Sequence, residues 1–211
     1  MGHAYDDSYA AREQNDLVAL IEGYPLAWLV SGTGAALTHT PLPLRCGYDA
    51  DGHLSHLLGH LALRNPHVAR LRSDAEAMAL FMGPQAYVSP SWLDDRTQAP
   101  TWNYCAAGFR LHVELCEDPE SIRNELTMLV EQMEAGRPKA WRLEEMGERY
   151  QRLAANVVAL RARILSVHAT FKLGQDERPG DYAQIVQGLD GAGKESLLEW
   201  VRRFETPHDG A

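Results

Sequence analysis

The sequence predicts a mainly β chain closed as a barrel with α-helices appended: an α+β fold of six to seven antiparallel strands plus C-terminal helices. Three observations predict it. Short apolar segments broken by Gly and Pro run from about residue 25 to 117. Strands and helices do not alternate as a parallel βαβ sheet would require, and helical periodicity concentrates after Asp118. The expected organisation is a single domain, 1–211. Its core lies at about 24–117 and 164–173, a helical insertion at about 118–163, and terminal helices at about 181–205.

Each element follows from its residues. Residues 12–22 predict a helix with Leu17, Leu20 and Ile21 on one face, ended by Gly23 and Pro25. PLAWLVS (25–31) predicts the first strand. ALTHTPLPLRC (36–46) predicts the second, and its Pro41 and Pro43 call for an edge or a bulge. The turn at Asp49–Gly52 leads into HLSHLLGH (53–60), the third strand. Its His56 and His60 share a face but stand about 13 Å apart, so no metal site is expected.

Asn65 and Pro66 open a helix over PHVARLRS, a cap followed by proline at the first position. Free N–H groups at such an end suit a phosphate, and Arg64 sits directly before it. EAMALFM (76–82), QAYVSPS (85–91) and PTWNYCAAGFRLHVEL (100–115) predict strands four, five and six. Asp118-Pro119-Glu120 opens a helix with a stripe of Ile122, Leu126, Leu129 and Met133. Residues 142–163 predict a second long helix on a heptad seam through Leu143, Met146, Tyr150, Leu153, Val157, Leu160 and Ile164. Its arginines, interspersed with Glu144, Glu145 and Glu148, read as a solvated face. ILSVHATFKL (164–173) predicts the last strand, and DYAQIVQGL and GKESLLEWVRRF the terminal helices. Gly188 to Lys194 has phosphate-loop spacing, but Glu195 stands where Mg²⁺ binding needs Ser or Thr, which argues against a nucleotide triphosphatase.

Composition bounds the function. The formal net charge is −9, whereas nucleic-acid binders cluster Lys and Arg against phosphates, so direct DNA binding is not expected. The apolar runs fall far short of the roughly 18 residues that span a bilayer, and no signal-peptide pattern opens the sequence. Cys46, Cys105 and Cys116 are odd in number and widely spaced, as in a reduced cytoplasmic protein. No nucleophile elbow, zincin motif or dinucleotide fingerprint is present, so redox chemistry would belong to a bound cofactor.

The most informative stretch is 81–105, FMGPQAYVSPSWLDDRTQAPTWNYC, where prolines stiffen a backbone carrying Tyr, Trp and Ser. GPQAYVSPSW followed by PTWNY resembles the signature of the PaiB-type FMN-binding negative transcriptional regulators. PLAWLVS, ALTHTPLPL, GHLALRNP and ATFKLGQ fall in the matching order. The resemblance runs from about Tyr5 to Leu189 and implies the split β-barrel of FMN-binding proteins, homodimeric, with flavin near the subunit interface. It carries flavin contacts onto Thr38, His39 and Thr40, His60, Arg64 and Asn65, Tyr87, Ser89, Ser91 and Trp92, Trp102, and Lys172 with Gln175. Cations and hydroxyls suit the phosphate; aromatics and Gln suit the ring. The function implied is a flavin-linked regulator working through a protein partner or its flavin state, without a DNA-reading motif. A flavin-dependent oxidoreductase is the alternative. A haem-binding barrel using His39, His60 or His168 is a third reading.

Overall fold

The computed structural model describes residues 7–205. Seven strands form one sheet: β1 (Leu26–Ser31), β2 (Thr38–Pro43), β3 (Arg45–Tyr48), β4 (Leu54–Ala62), β5 (Glu76–Val88), β6 (Thr101–Cys116) and β7 (Val157–Lys172). Their order is β2-β1-β5-β6-β7-β4-β3, and β1 pairs antiparallel with both β2 and β5, as β4 does with β3 and β7. The helices are α1 (Gln14–Gly23), α2 (Pro66–Ser73), α3 (Pro119–Glu134), α4 (Arg149–Ala154), α5 (Pro179–Gly191) and α6 (Glu195–Arg203). The chain divides into two compact units. A central unit holds 18–81 and 108–167, and a terminal unit holds the residues up to 17, 82–107 and those from 168 onward.

In the central unit, β2 sits at the sheet edge, where Pro41 and Pro43 remove no ladder donor that the sheet needs. The expected second strand divides at Leu44, whose N–H donates to Pro25 O. Gly59 of β4 lies against this crossing. A Cβ there would come within 2.9 Å of both Pro43 O and Leu44 Cδ2, so only glycine permits the approach. Under α3, the Arg45 guanidinium pairs with Glu125 at 2.5 Å, and both side chains are buried. Ile122 and Glu125, three residues apart, form the buried face of α3.

The terminal unit is built on aromatic stacking. Phe171 stacks with both Trp200 and Phe204, with centroids 5.4 and 5.0 Å away, and those two rings stand 6.3 Å from each other. Arg12 donates to Phe204 O and covers its ring, while buried Asp16 accepts from the Arg12 and Glu13 N–H groups and from Arg203. These contacts fasten α6 to the start of α1.

Three expectations need correction. Residues 142–163 are not a helix: a 3-10 turn at Leu143–Met146 and the six-residue α4 precede β7, which begins at Val157. The insertion of helices therefore ends some seven residues earlier than expected. Leu160, Ala162 and Ile164 point inward between outward Arg161 and Arg163, a period of two that the heptad reading overlooked. Strands four and five are one strand, β5, running through Gly83-Pro84. Its pairing with β1 covers only Met78 to Leu80, so Pro84 takes no N–H from that ladder.

Candidate functional site

The thirteen residues singled out by sequence divide between the units, and each group has its own chemistry. Thr38, His39, Thr40, His60, Arg64 and Asn65 lie in the central unit. There the organising residue is His67, which the sequence reading missed. It is fully buried and bridges two strands, with Nε2 at 2.8 Å from Ser31 Oγ and Nδ1 at 3.0 Å from Thr40 Oγ1. One proton assignment accounts for all three hydrogen bonds: Thr40 accepts from Asn65 Nδ2 and donates to His67 Nδ1, and His67 Nε2–H donates to Ser31 Oγ. Burial first, then the positive ends of His39 and Arg70, holds the His67 pKa below the ordinary histidine value. A serine against a histidine is also the contact of a nucleophile and its base. Ser31 and His67 are both closed to solvent, so the pair serves the fold. The available signal was His67's place four residues before buried Leu71, on the stripe that α2 turns inward.

The expected N–H cradle at the start of α2 is corrected by the same cap. Pro66 has no N–H, His67 N–H donates to Asn65 Oδ1 at 2.9 Å, and Val68 N–H donates to Asn65 O at 2.9 Å. Thr40 and Asn65 are therefore committed to internal hydrogen bonds. Arg64 is exposed and has no hydrogen bond or ion pair among the described residues. Exposed His39 packs its ring on Trp28 at 5.4 Å, and Thr38 makes one long bond, 3.5 Å, to Ala36 O. Half-buried His60 points Nδ1 at Glu125 Oε1, 3.9 Å away, and neither atom has a hydrogen-bond partner. Arg45 Nε is similarly unpartnered, so this buried cluster keeps three unsatisfied polar atoms.

Tyr87, Ser89, Ser91, Trp92, Trp102, Lys172 and Gln175 lie in the terminal unit. Tyr87 and Trp102 stand on neighbouring strands with rings 6.1 Å apart in an edge-on pair, and each exposes about half of its surface, 46% and 51%. Lys172 Nζ donates to Thr101 Oγ1 at 2.6 Å, one residue from Trp102. Asn103 follows, buried, with Nδ2 unpartnered. The other members have local duties. Ser89 accepts from Ser91 N–H and pairs with its hydroxyl at 2.7 Å, shaping the turn. The Trp92 ring seats on α5 where Gly188 leaves room, and any Cβ at 188 would run into it. Gln175 closes the turn after β7, accepting from Leu173 N–H and donating to Phe171 O.

The thiols offer no reactive nucleophile. Burial, reinforced by Asp16, pushes Cys105 up to about 12, and burial with Glu22 pushes Cys46 up to about 11. What remains on the terminal unit is an exposed aromatic pair and, separately, a cation held by the hydroxyl of Thr101, whose side chain alternates with Trp102 along β6. That chemistry suits a flat, anionic, hydrogen-bonding ligand.

The seven-stranded antiparallel sheet with its helices defines a split-barrel fold. Residues 5–166 match the family described as "Putative FMN-binding domain", and the chain belongs to that family. It is 27% identical over 153 residues to the Bacillus subtilis "Protease synthase and sporulation protein PAI 2", covering 72% of this chain and 71% of that one. Its fold resembles the FAD and heme binding protein from Mycobacterium smegmatis, with a TM-score of 0.58 at 15% identity, covering 83% of this chain and 78% of that one. It also resembles the flavocytochrome Anf3 from Azotobacter vinelandii, with a TM-score of 0.59 at 12% identity, covering 83% and 75%. The PaiB-type resemblance read from GPQAYVSPSW and PTWNY is thus matched by the family and by this relative.

Proposed function

We propose that this chain binds FMN and acts as a flavin-linked regulator. The observation that carries the reading is the half-exposed Tyr87–Trp102 pair in a chain of the FMN-binding family, with Lys172 a further cation of the same unit. Aromatic faces take up a flat ring, and an ammonium with a hydroxyl neighbour takes up oxygen-bearing groups. FMN when bound would supply the electron chemistry, which the side chains themselves lack. In the central unit, Arg64 and His39 keep donors available for an anion such as a phosphate. Arg64→Gln tests that group separately from Trp102→Ala.

The regulatory role rests on the PAI 2 relative and on the chemistry of the C-terminal helices. A reading head needs a helix presenting Arg, Lys, Asn or Gln to a groove. α5 and α6 are joined by a tight turn at Gly193, φ +66°, but the outward residues of α6 include Glu195 and Glu199, and Arg203 is held by Asp16. Regulation would therefore run through a protein partner or the flavin's state. Three free cysteines fit a reducing cytoplasm, and no helix among the described residues is long and apolar enough to cross a membrane.

A homodimer is part of the same proposal. Leu26, Trp28, Met78 and Leu80 are 41–67% exposed on one face of β1 and β5, where Trp28 stands opposite Leu80. Such a patch on a sheet is suited to burial against a second copy. Light scattering at micromolar concentration is expected to give twice the chain mass, and Trp28→Lys to give the single mass. A native protein of single mass throughout would remove the dimer.

A further inference from the structure

β6 and β7 are neighbours in the sheet, and adjacent strands can be joined by two to five residues. Here the chain inserts residues 117–156, carrying α3 and α4, which the sheet itself does not need. A cavity of about 490 Å³ opens against this excursion, its floor made by Leu63, Ile122, Ala154 and Val157. Its polar lining includes Arg123, Tyr150 and Gln151, and the same three residues line a second cavity of about 880 Å³.

Arg123 is placed as a receptor for an anion. Its guanidinium lies 5.6 Å over the Tyr150 ring and 3.6 Å from Glu144 Oε1, beyond hydrogen-bond reach. None of its N–H groups has a hydrogen-bond partner among the described residues, nor does the Tyr150 hydroxyl or the Gln151 amide. An apolar floor with a few converging, unengaged polar groups is the make-up of a small-molecule site. The acids fix the charge class. Glu144 and Glu148 line the larger cavity, and Glu117 lines the smaller one while paired with Arg72 at 2.7 Å. With Arg123 and Arg152 on the same lining, these acids leave no excess of positive charge to hold a multiply charged ligand, whereas one carboxylate can replace Glu144 at Arg123.

We propose that this cavity binds a small amphipathic monocarboxylate, its apolar body on Ile122, Ala154 and Val157 and its carboxylate on Arg123. Every residue involved lies in the central unit and none belongs to the Tyr87–Trp102 group, so the inference stands apart from flavin binding.

The probe is 4-phenylbutanoate, titrated into the full chain and followed by ¹H–¹⁵N NMR. Saturable shifts are expected at the amides of Ile122, Gln151 and Val157. Arg123→Gln should weaken binding about tenfold or more, the loss of a charge-assisted hydrogen bond. The uncharged 4-phenylbutan-1-ol should bind wild type and Arg123→Gln alike. Glu144→Gln should bind the carboxylate at least as tightly as wild type. Ala154→Phe, which fills the floor, should abolish binding while keeping a dispersed spectrum. Absence of saturation by about 10 mM overturns the proposal, since that is weaker than any specific small-ligand site. Equal affinity in Arg123→Gln overturns it as well, and so does inorganic phosphate moving the same amides as strongly.

Discussion

Two groups of polar residues suggested by sequence behave in opposite ways. Around α2, Thr40 and Asn65 are drawn with Ser31 into a closed hydrogen-bonded set about His67. On β5 and β6, Tyr87 and Trp102 keep about half of their surfaces in solvent. Both sets carry residue types that bind ligands. What separates them is whether the hydrogen bonds close within the protein. A closed buried network contributes to stability and makes one geometry unique, while an open aromatic pair contributes little to stability and is available to bind.

The largest expected effect comes from opening the closed set. His67→Ala leaves Ser31 and Thr40 without their partner and a hole in a fully buried site, so a loss of about 2–4 kcal/mol is expected by urea unfolding. A change under about 0.5 kcal/mol would show that the network carries no stability. Trp102→Ala is expected to do the reverse: unfolding within about 0.5 kcal/mol of wild type, but FMN affinity lowered about tenfold. If stability falls and affinity holds, the two regions have been assigned the wrong way round. Asn65→Ala removes the α2 cap and should cost about 1 kcal/mol.

The pH dependence is the finest of these distinctions. The folded-state pKa values of His67 and His56 lie below their unfolded values, His67 through burial and His56 through burial followed by Arg161 and Arg163. The unfolded chain therefore takes up protons first as pH falls, and stability drops below about pH 6.5 and is flat above it as far as these two groups go. Urea midpoints from pH 8 to 5 should show that fall. His67→Gln, which cannot protonate, should flatten part of it.

Much of the fold was legible because local chemistry and tertiary packing agree. Asn65-Pro66 and Asp118-Pro119 begin helices where cap and proline place them, and the prolines of β2 put that strand at the sheet edge. β7 was misread because steps of three and four through Leu153, Val157, Leu160 and Ile164 coincide with an alternating strand from Leu160 onward. β5 was divided because Gly-Pro reads as a break unless the missing ladder partner is known. The candidate site was legible as a list but not as roles. Gln175, Thr40 and Asn65 look like ligand donors in sequence, and only the folded chain brings Leu173, His67 and the α2 backbone to their hydrogen bonds. The Arg45–Glu125–His60 cluster was invisible for the same reason, since its members come from β3, α3 and β4.

The most direct test of the account is titration of FMN with the purified chain, followed by quenching of flavin fluorescence. Saturable quenching at micromolar concentration or tighter, approaching one flavin per chain and weakened in Trp102→Ala, is the predicted result. FMN fluorescence unchanged by an excess of folded protein would contradict it.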